Sequence, residues 1–123
     1  MKKTVMVIDD EPDFCFFLKQ NLEAAGDFGV VTISDAVRAV SQIRSVKPDI
    51  VLLDVMMPGV SGPDIAQELK NDVQTKNIPV VFLTAIVEEE QVKQKQNLIG
   101  GWLYISKPVK IDELVALVHD LTR

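Results

Sequence analysis

Residues 49–62 read DIVLLDVMMPGVSG. Ile50, Val51, Leu52 and Leu53 form a short apolar run that ends in a single carboxylate, Asp54. Four apolar residues in a row leave no face for water. As a strand, the run must be covered on both sides, which fits a central parallel strand better than a half-solvated one. Pro58 and Gly59 mark a turn, and Ser61 has the chemistry of a helix cap. Asp54 therefore falls at the carboxyl end of a buried strand, the edge at which open α/β sheets bind their ligands.

Outward from this stretch, strand-like and helix-like segments alternate, with no internal repeat, low-complexity tract or linker. A first apolar run, 5–8, stops at Asp9-Asp10-Glu11-Pro12. Pro12 suits the first turn of a helix, where its missing amide hydrogen costs nothing. That helix is expected over 12–25, with Phe14, Phe17, Leu18 and Leu22 at helical spacing and Gly26 ending it. A strand at 30–33 follows, then a helix capped by Ser34 or Asp35, with Ala36, Ala39, Val40, Ile43 and Val46 on one side, closed by Pro48. Beyond the central strand, a helix over about 61–71 turns Ile65, Ala66 and Leu69 inward, and PVVFLT at 79–84 is a fourth strand. Glu88, Glu89 and Glu90 open a helix running to Leu98, stopped by Gly100 and Gly101. It has few apolar residues and is expected to be the least firmly held element. A fifth strand at 103–105, a Lys107-Pro108 loop and a final helix at 111–121 complete the chain. Five strands alternating with five helices predict βαβ units and a parallel sheet with helices on both faces. The order 2-1-3-4-5, with a crevice between strands 1 and 3, is adopted from known doubly wound sheets; the residues alone do not set it.

Composition narrows the function classes. The 123 residues are 47% hydrophobic and 25% charged, ordinary usage for one globular domain. The net charge of −5 argues against nonspecific binding to nucleic acid or to an anionic membrane. No apolar run approaches the roughly 20 residues of a membrane span, and the N-terminal run is too short for a signal peptide. The single cysteine, Cys15, precludes an internal disulfide and suits a reducing cytoplasm.

In such a fold four strand ends meet at one edge. They bring Asp9 and Asp10, Asp54, Thr84 with Ala85, and Lys107 together. Three carboxylates that close require a cation or raised pKa values. Mg²⁺ fits: Asp10 and Asp54 can ligate it directly, the Met56 backbone carbonyl can add a third oxygen, and Asp9 can hold a metal-bound water. Lys107, the Thr84 hydroxyl and the Ala85 N–H suit the oxygens of a phosphoryl group. A carboxylate nucleophile so flanked can form an aspartyl phosphate without a separate base.

At these residues the chain resembles a response-regulator receiver domain of two-component signalling. IDDEP, LLDVMMPGVSG, FLTA and YISKP stand in the family's order and near its spacing, and the resemblance covers essentially all of residues 1–123. It implies a flavodoxin-like three-layer αβα sandwich. It makes Asp54 the phospho-acceptor, Asp9 and Asp10 the acidic pair for Mg²⁺, Thr84 the switch hydroxyl, Tyr104 the switch aromatic and Lys107 the phosphate partner, with a cis Lys107–Pro108 bond. The implied donor is a sensor histidine kinase or phosphotransfer protein. On phosphorylation Thr84 and Tyr104 would move, reshaping the surface of the 88–98 helix, the fifth strand and the final helix. That surface would meet a downstream protein of unknown identity or a second copy of the chain, and neither nucleic acid nor membrane is expected to bind this domain. The chain stops just past its final helix, so no effector domain is expected within it.

Rival readings fit less well. A phosphatase with an aspartate nucleophile wants an acid or threonine soon after it, and Val55-Met56-Met57 supplies none. A flavin binder needs a Gly/Ser/Thr-rich phosphate loop after strand 1, where DDEP would repel phosphate. A binding module that keeps the fold but never takes phosphate stays open, although no motif residue is missing. The protein is thus expected to catalyse its own modification and to turn over no metabolite. Two departures from the family's pattern stand out. Trp102 and Leu103 occupy positions where charge is expected, which suggests that Trp102 takes part in a dimer or partner contact. Met56 stands two residues after Asp54, where a polar side chain would aim a hydrolytic water. Phe16 lies off the main apolar stripe of the first helix, as either a docking contact or a covered side chain.

Overall fold

The computed structural model describes residues 2–84, 98–99 and 102–122. Five parallel strands, β1 (Lys3–Ile8), β2 (Phe28–Ile33), β3 (Ile50–Asp54), β4 (Val80–Thr84) and β5 (Trp102–Ser106), form a sheet in the order β2-β1-β3-β4-β5. The four helices among the described residues are α1 (Pro12–Ala25), α2 (Ala39–Val46), α3 (Gly62–Lys70) and α4 (Ile111–Leu121). All five residues of β3 are buried, as its unbroken apolar run requires.

Side chains alternate across the sheet and divide the core in two. Val5, Val7, Leu52, Val81 and Leu83 pack with Leu18 and Leu22 of α1 and Leu114 and Val118 of α4. Met6, Ile8, Val51, Leu53 and Phe82 pack with Ala39 and Ile43 of α2 and Ile65, Ala66 and Leu69 of α3. Three layers result, with α1 and α4 on one face and α2 and α3 on the other.

Several local expectations hold. Asp35 accepts a hydrogen bond from the Val37 N–H at 3.2 Å, but the turn it caps is a 3₁₀ turn, Ala36–Arg38, that leads into α2. Ser61 Oγ accepts from the Asp64 N–H at 3.4 Å and starts α3. Met56–Met57 and Val60–Ser61 pair as a small antiparallel hairpin around Pro58-Gly59. Gly59 has φ 75°, the left-handed conformation that favours glycine at this turn. The Lys107–Pro108 bond is cis.

The second strand starts two residues earlier than expected, at Phe28 in place of Val30, and three further expectations need correction. Phe17 does not belong to the buried line of α1: it is 44% exposed, and Cys15, Leu18 and Leu22 face the core instead. Consecutive helical residues point about 100° apart, so Phe17 falls on the flank of that line, where its ring stacks on Phe14 with centroids 6.5 Å apart. Leu98 does not end a helix. With Ile99 it forms a two-residue strand antiparallel to β5, adding a sixth member at the sheet edge. The fifth strand also starts one residue earlier than expected, at Trp102, because that residue pairs with Ile99. The remainder of the expected 88–98 helix, and Gly100 and Gly101, lie outside the described residues.

Candidate functional site

Strand register carries the acidic residues to one edge. Ile8 pairs with Leu53, so Asp9, one residue on, is level with Asp54. Asp54 pairs with Leu83, which places Thr84 one step further along β4, and Thr84 pairs with Ser106 just before Lys107. The Lys107 N–H donates to the Thr84 carbonyl at 2.9 Å, extending the ladder by one bond and fixing where the lysine leaves the sheet.

Asp9 is fully buried, Asp54 is 7% exposed and Asp10 is half-buried. Each offers a carboxylate oxygen within 4.8 Å of the others. Asp9 is the most firmly held of the three. Its Oδ1 accepts the Glu11 N–H at 2.9 Å and its Oδ2 accepts from Lys107 Nζ at 2.8 Å. Lys107 Nζ also lies 3.5 Å from Glu11 Oε1 and 3.9 Å from Asp54 Oδ1. The Met56 N–H points to Asp54 Oδ1 at 3.4 Å, while the Met56 side chain is 63% exposed.

Crowding shows in the proton affinities. Burial, then the charge of Asp9, pushes the Asp54 carboxyl up to about 6, against the opposite pull of Lys107. Burial opposes the Lys107 ammonium, but the Asp9 hydrogen bond and the surrounding carboxylates outweigh it and raise its pKa. Cys15 lies beneath the site, its Sγ donating to the Asp9 carbonyl at 3.4 Å. Burial, followed by the Asp9 charge, raises its thiol to about 11, so it stays protonated and packs as a small apolar group.

The structure therefore gathers Asp9, Asp10, Asp54 and Lys107, with Thr84 at the adjoining strand end. Ala85 lies outside the described residues. Tyr104 stands two residues before the end of β5, half-buried with its ring stacked on Phe82, centroids 5.0 Å apart. Trp102 is likewise packed inward, edge-on to Phe82 at 5.6 Å, with Lys70 Nζ 4.9 Å from its own ring. Phe16 is 61% exposed. Two site neighbours escape a sequence reading: Glu11, which looks like part of a helix start, and Phe14, which looks like core. Both meet Lys107, more than ninety residues away in the chain, and no local signal announces that contact.

The doubly wound parallel sheet thus carries an acidic cluster and a lysine at its carboxyl edge, the arrangement expected of a receiver domain from the sequence resemblance. The chain belongs to the response regulator receiver domain family, which it matches over residues 5–119. It is 36% identical over 121 residues to the hybrid signal transduction histidine kinase D of Dictyostelium discoideum, an alignment spanning 98% of this chain and 8% of that protein. It is 37% identical over 121 residues to the phosphate regulon transcriptional regulatory protein PhoB of Pseudomonas aeruginosa, spanning 98% of this chain and 52% of that protein. The chain thus spans about half the length of that regulator and a small part of the hybrid kinase. Among solved structures, the receiver domain of the Francisella response regulator 1452 superposes with a TM-score of 0.81 at 29% identity, covering 98% of this chain and 97% of that one. Among the described residues no helix is long and apolar enough to cross a membrane.

Proposed function

We propose that residues 1–123 act as one phospho-accepting receiver in which Asp54 takes a phosphoryl group from a phosphohistidine donor. The observation that carries this reading is the juxtaposition of three carboxylates within 4.8 Å of one another with an ammonium 2.8 Å from Asp9 and 3.9 Å from Asp54. One lysine cannot neutralise three carboxylates, and burial together with the charge of Asp9 raises the Asp54 pKa. The donor set is all hard oxygen, which fits Mg²⁺. Asp10 and Asp54 would ligate it directly, the Met56 carbonyl would add an oxygen and Asp9 would act through water. When bound, Mg²⁺ supplies the positive charge that lets Asp54 ionise fully and an anionic donor approach.

An oxygen of the Asp54 carboxylate attacks phosphorus as the P–N bond of the donor breaks. The imidazole nitrogen keeps the electron pair and takes up a proton, and Asp54 ends as an acyl phosphate. Lys107 neutralises a phosphoryl oxygen, and the Thr84 hydroxyl and Ala85 N–H donate to the others. The new group adds about two negative charges and three acceptor oxygens. Thr84 would turn towards it and Tyr104 would leave its place on Phe82, altering the β5–α4 side of the molecule. A histidine kinase or phosphotransfer protein is the donor, and a downstream protein reads the altered surface.

The test is incubation with acetyl phosphate or beryllofluoride, with and without Mg²⁺, on the wild type and Asp54→Ala. A Mg²⁺-dependent mass gain of one phosphoryl group from acetyl phosphate, and Mg²⁺-dependent binding of beryllofluoride, both absent in Asp54→Ala, are expected. Phosphorylation that survives Asp54→Ala would sink the assignment.

A further inference from the structure

We propose that Phe14 is a positioning residue for Lys107, its ring face holding the ammonium within reach of both Asp9 and Asp54. The proposal rests on Asp54 being the phospho-acceptor and adds the group that aims its lysine. Lys107 Nζ lies 4.4 Å from the centroid of the Phe14 ring. A phenyl face carries a negative quadrupole that attracts a cation at this range, more strongly where water is excluded. Here water is largely excluded, since the Lys107 side chain is only 15% exposed.

The neutrality of the ring matters. Of the three neighbouring carboxylates only Asp9, at 2.8 Å, makes a short contact; Glu11 at 3.5 Å and Asp54 at 3.9 Å are longer. A flexible four-carbon side chain held by charge alone would settle on whichever acid came nearest. A further carboxylate in place of Phe14 would compete with the incoming phosphoryl oxygens. An aliphatic side chain would fill the space but exert no pull. The phenyl ring restrains Nζ and leaves its charge available.

The ring is itself fixed. Phe14 sits in the first turn of α1, packs against the core between that helix and the sheet, and stacks on Phe17. The start of α1 thus supports a group delivered by the loop after β5.

Phenylalanine with one to three ring fluorines, incorporated only at position 14, weakens the quadrupole while leaving the side-chain volume nearly unchanged. Initial rates of Asp54 phosphorylation by acetyl phosphate at saturating Mg²⁺ should fall stepwise across the series, by about three- to tenfold in all. Phe14→Leu should fall as far and Phe14→Tyr should stay near wild type. In a Lys107→Met background the series should be flat. A flat series in the Lys107 protein, or an equal slope without the lysine, would overturn the proposal. Independently of any phosphoryl donor, the NMR signal of the Lys107 ε-methylene should carry an upfield ring-current shift that Phe14→Leu abolishes and Phe14→Tyr keeps. If that signal does not move in Phe14→Leu, Phe14 does not hold the lysine. If it moves while wild type takes no phosphate on Asp54, it is the acceptor assignment that fails.

Discussion

Lys107 Nζ stands 2.8 Å from Asp9 Oδ2 and 3.9 Å from Asp54 Oδ1, so in the unmodified protein the lysine is committed to the buried acid and only leans towards the exchangeable one. This asymmetry gives Asp9 the short contact with the ammonium and Asp54 only the long one. It also leaves Asp54, beside Asp9 and Asp10, without a close positive partner of its own among the described residues.

Removing the lysine should expose that dependence. Lys107→Met strands a fully buried carboxylate, and losing one partner of such a pair costs about 3 kcal/mol. Urea unfolding at pH 7 should show this loss, and added Mg²⁺ should recover part of it. A variant as stable as wild type without metal would mean that Asp9 is neutralised in some other way.

Asp54 sets a pH dependence of definite sign. Its folded-state pKa of about 6 exceeds the ordinary 3.8, so between roughly pH 4 and 6 the folded protein holds a proton that the unfolded chain releases. Stability from this group falls as pH rises through that window and levels off above it. Asp54→Asn removes the penalty. Its stability advantage over wild type should be small near pH 4, grow to about 1 kcal/mol by pH 7 after allowance for solvent screening, and shrink with Mg²⁺. Urea titrations across pH 4 to 7.5 in chelator would test this; an advantage that shrinks with rising pH would contradict it.

Gly62 guards the backbone under Asp54. A β-carbon there would overlap the Asp54 carbonyl oxygen and lie 3.0 Å from Val55 Cα. Gly62→Ala should cost about 1–3 kcal/mol and slow acetyl phosphate uptake, because backbone must shift to admit it. Gly29→Ala, whose β-carbon would meet nothing within 4 Å, should stay within about 0.5 kcal/mol of wild type. Equal effects at the two sites would remove the steric account.

Met56 bears on how long the phosphate lasts. Its side chain is exposed beside Asp54 and cannot direct a water at an acyl phosphate. The purified phosphoprotein should lose phosphate slowly, and Met56→Asn should speed the loss by about tenfold or more. Wild-type loss within seconds would refute the idea.

The backbone plan was legible in the chain because burial leaves a periodic record. The IVLL run read best as a covered strand, the alternating segments pointed to a parallel sheet, and the strand order taken from known doubly wound sheets brought the acids at strand ends together. Asp9, Asp10, Asp54, Thr84 and Lys107 could be placed at one edge for that reason, while their roles came from the family resemblance. Phe17 was misplaced because a helix with three phenylalanines among its first six residues has more apolar faces than it can bury. Only folding chose which of them faced water. Folding likewise decided that Leu98 extends a sheet edge, that Lys107 pairs with Asp9 ahead of Asp54, and that Glu11 and Phe14 stand beside it. Periodicity reports which side of an element is buried. Contacts between residues ninety or more positions apart depend on register and side-chain direction, and these exist only once the sheet has assembled.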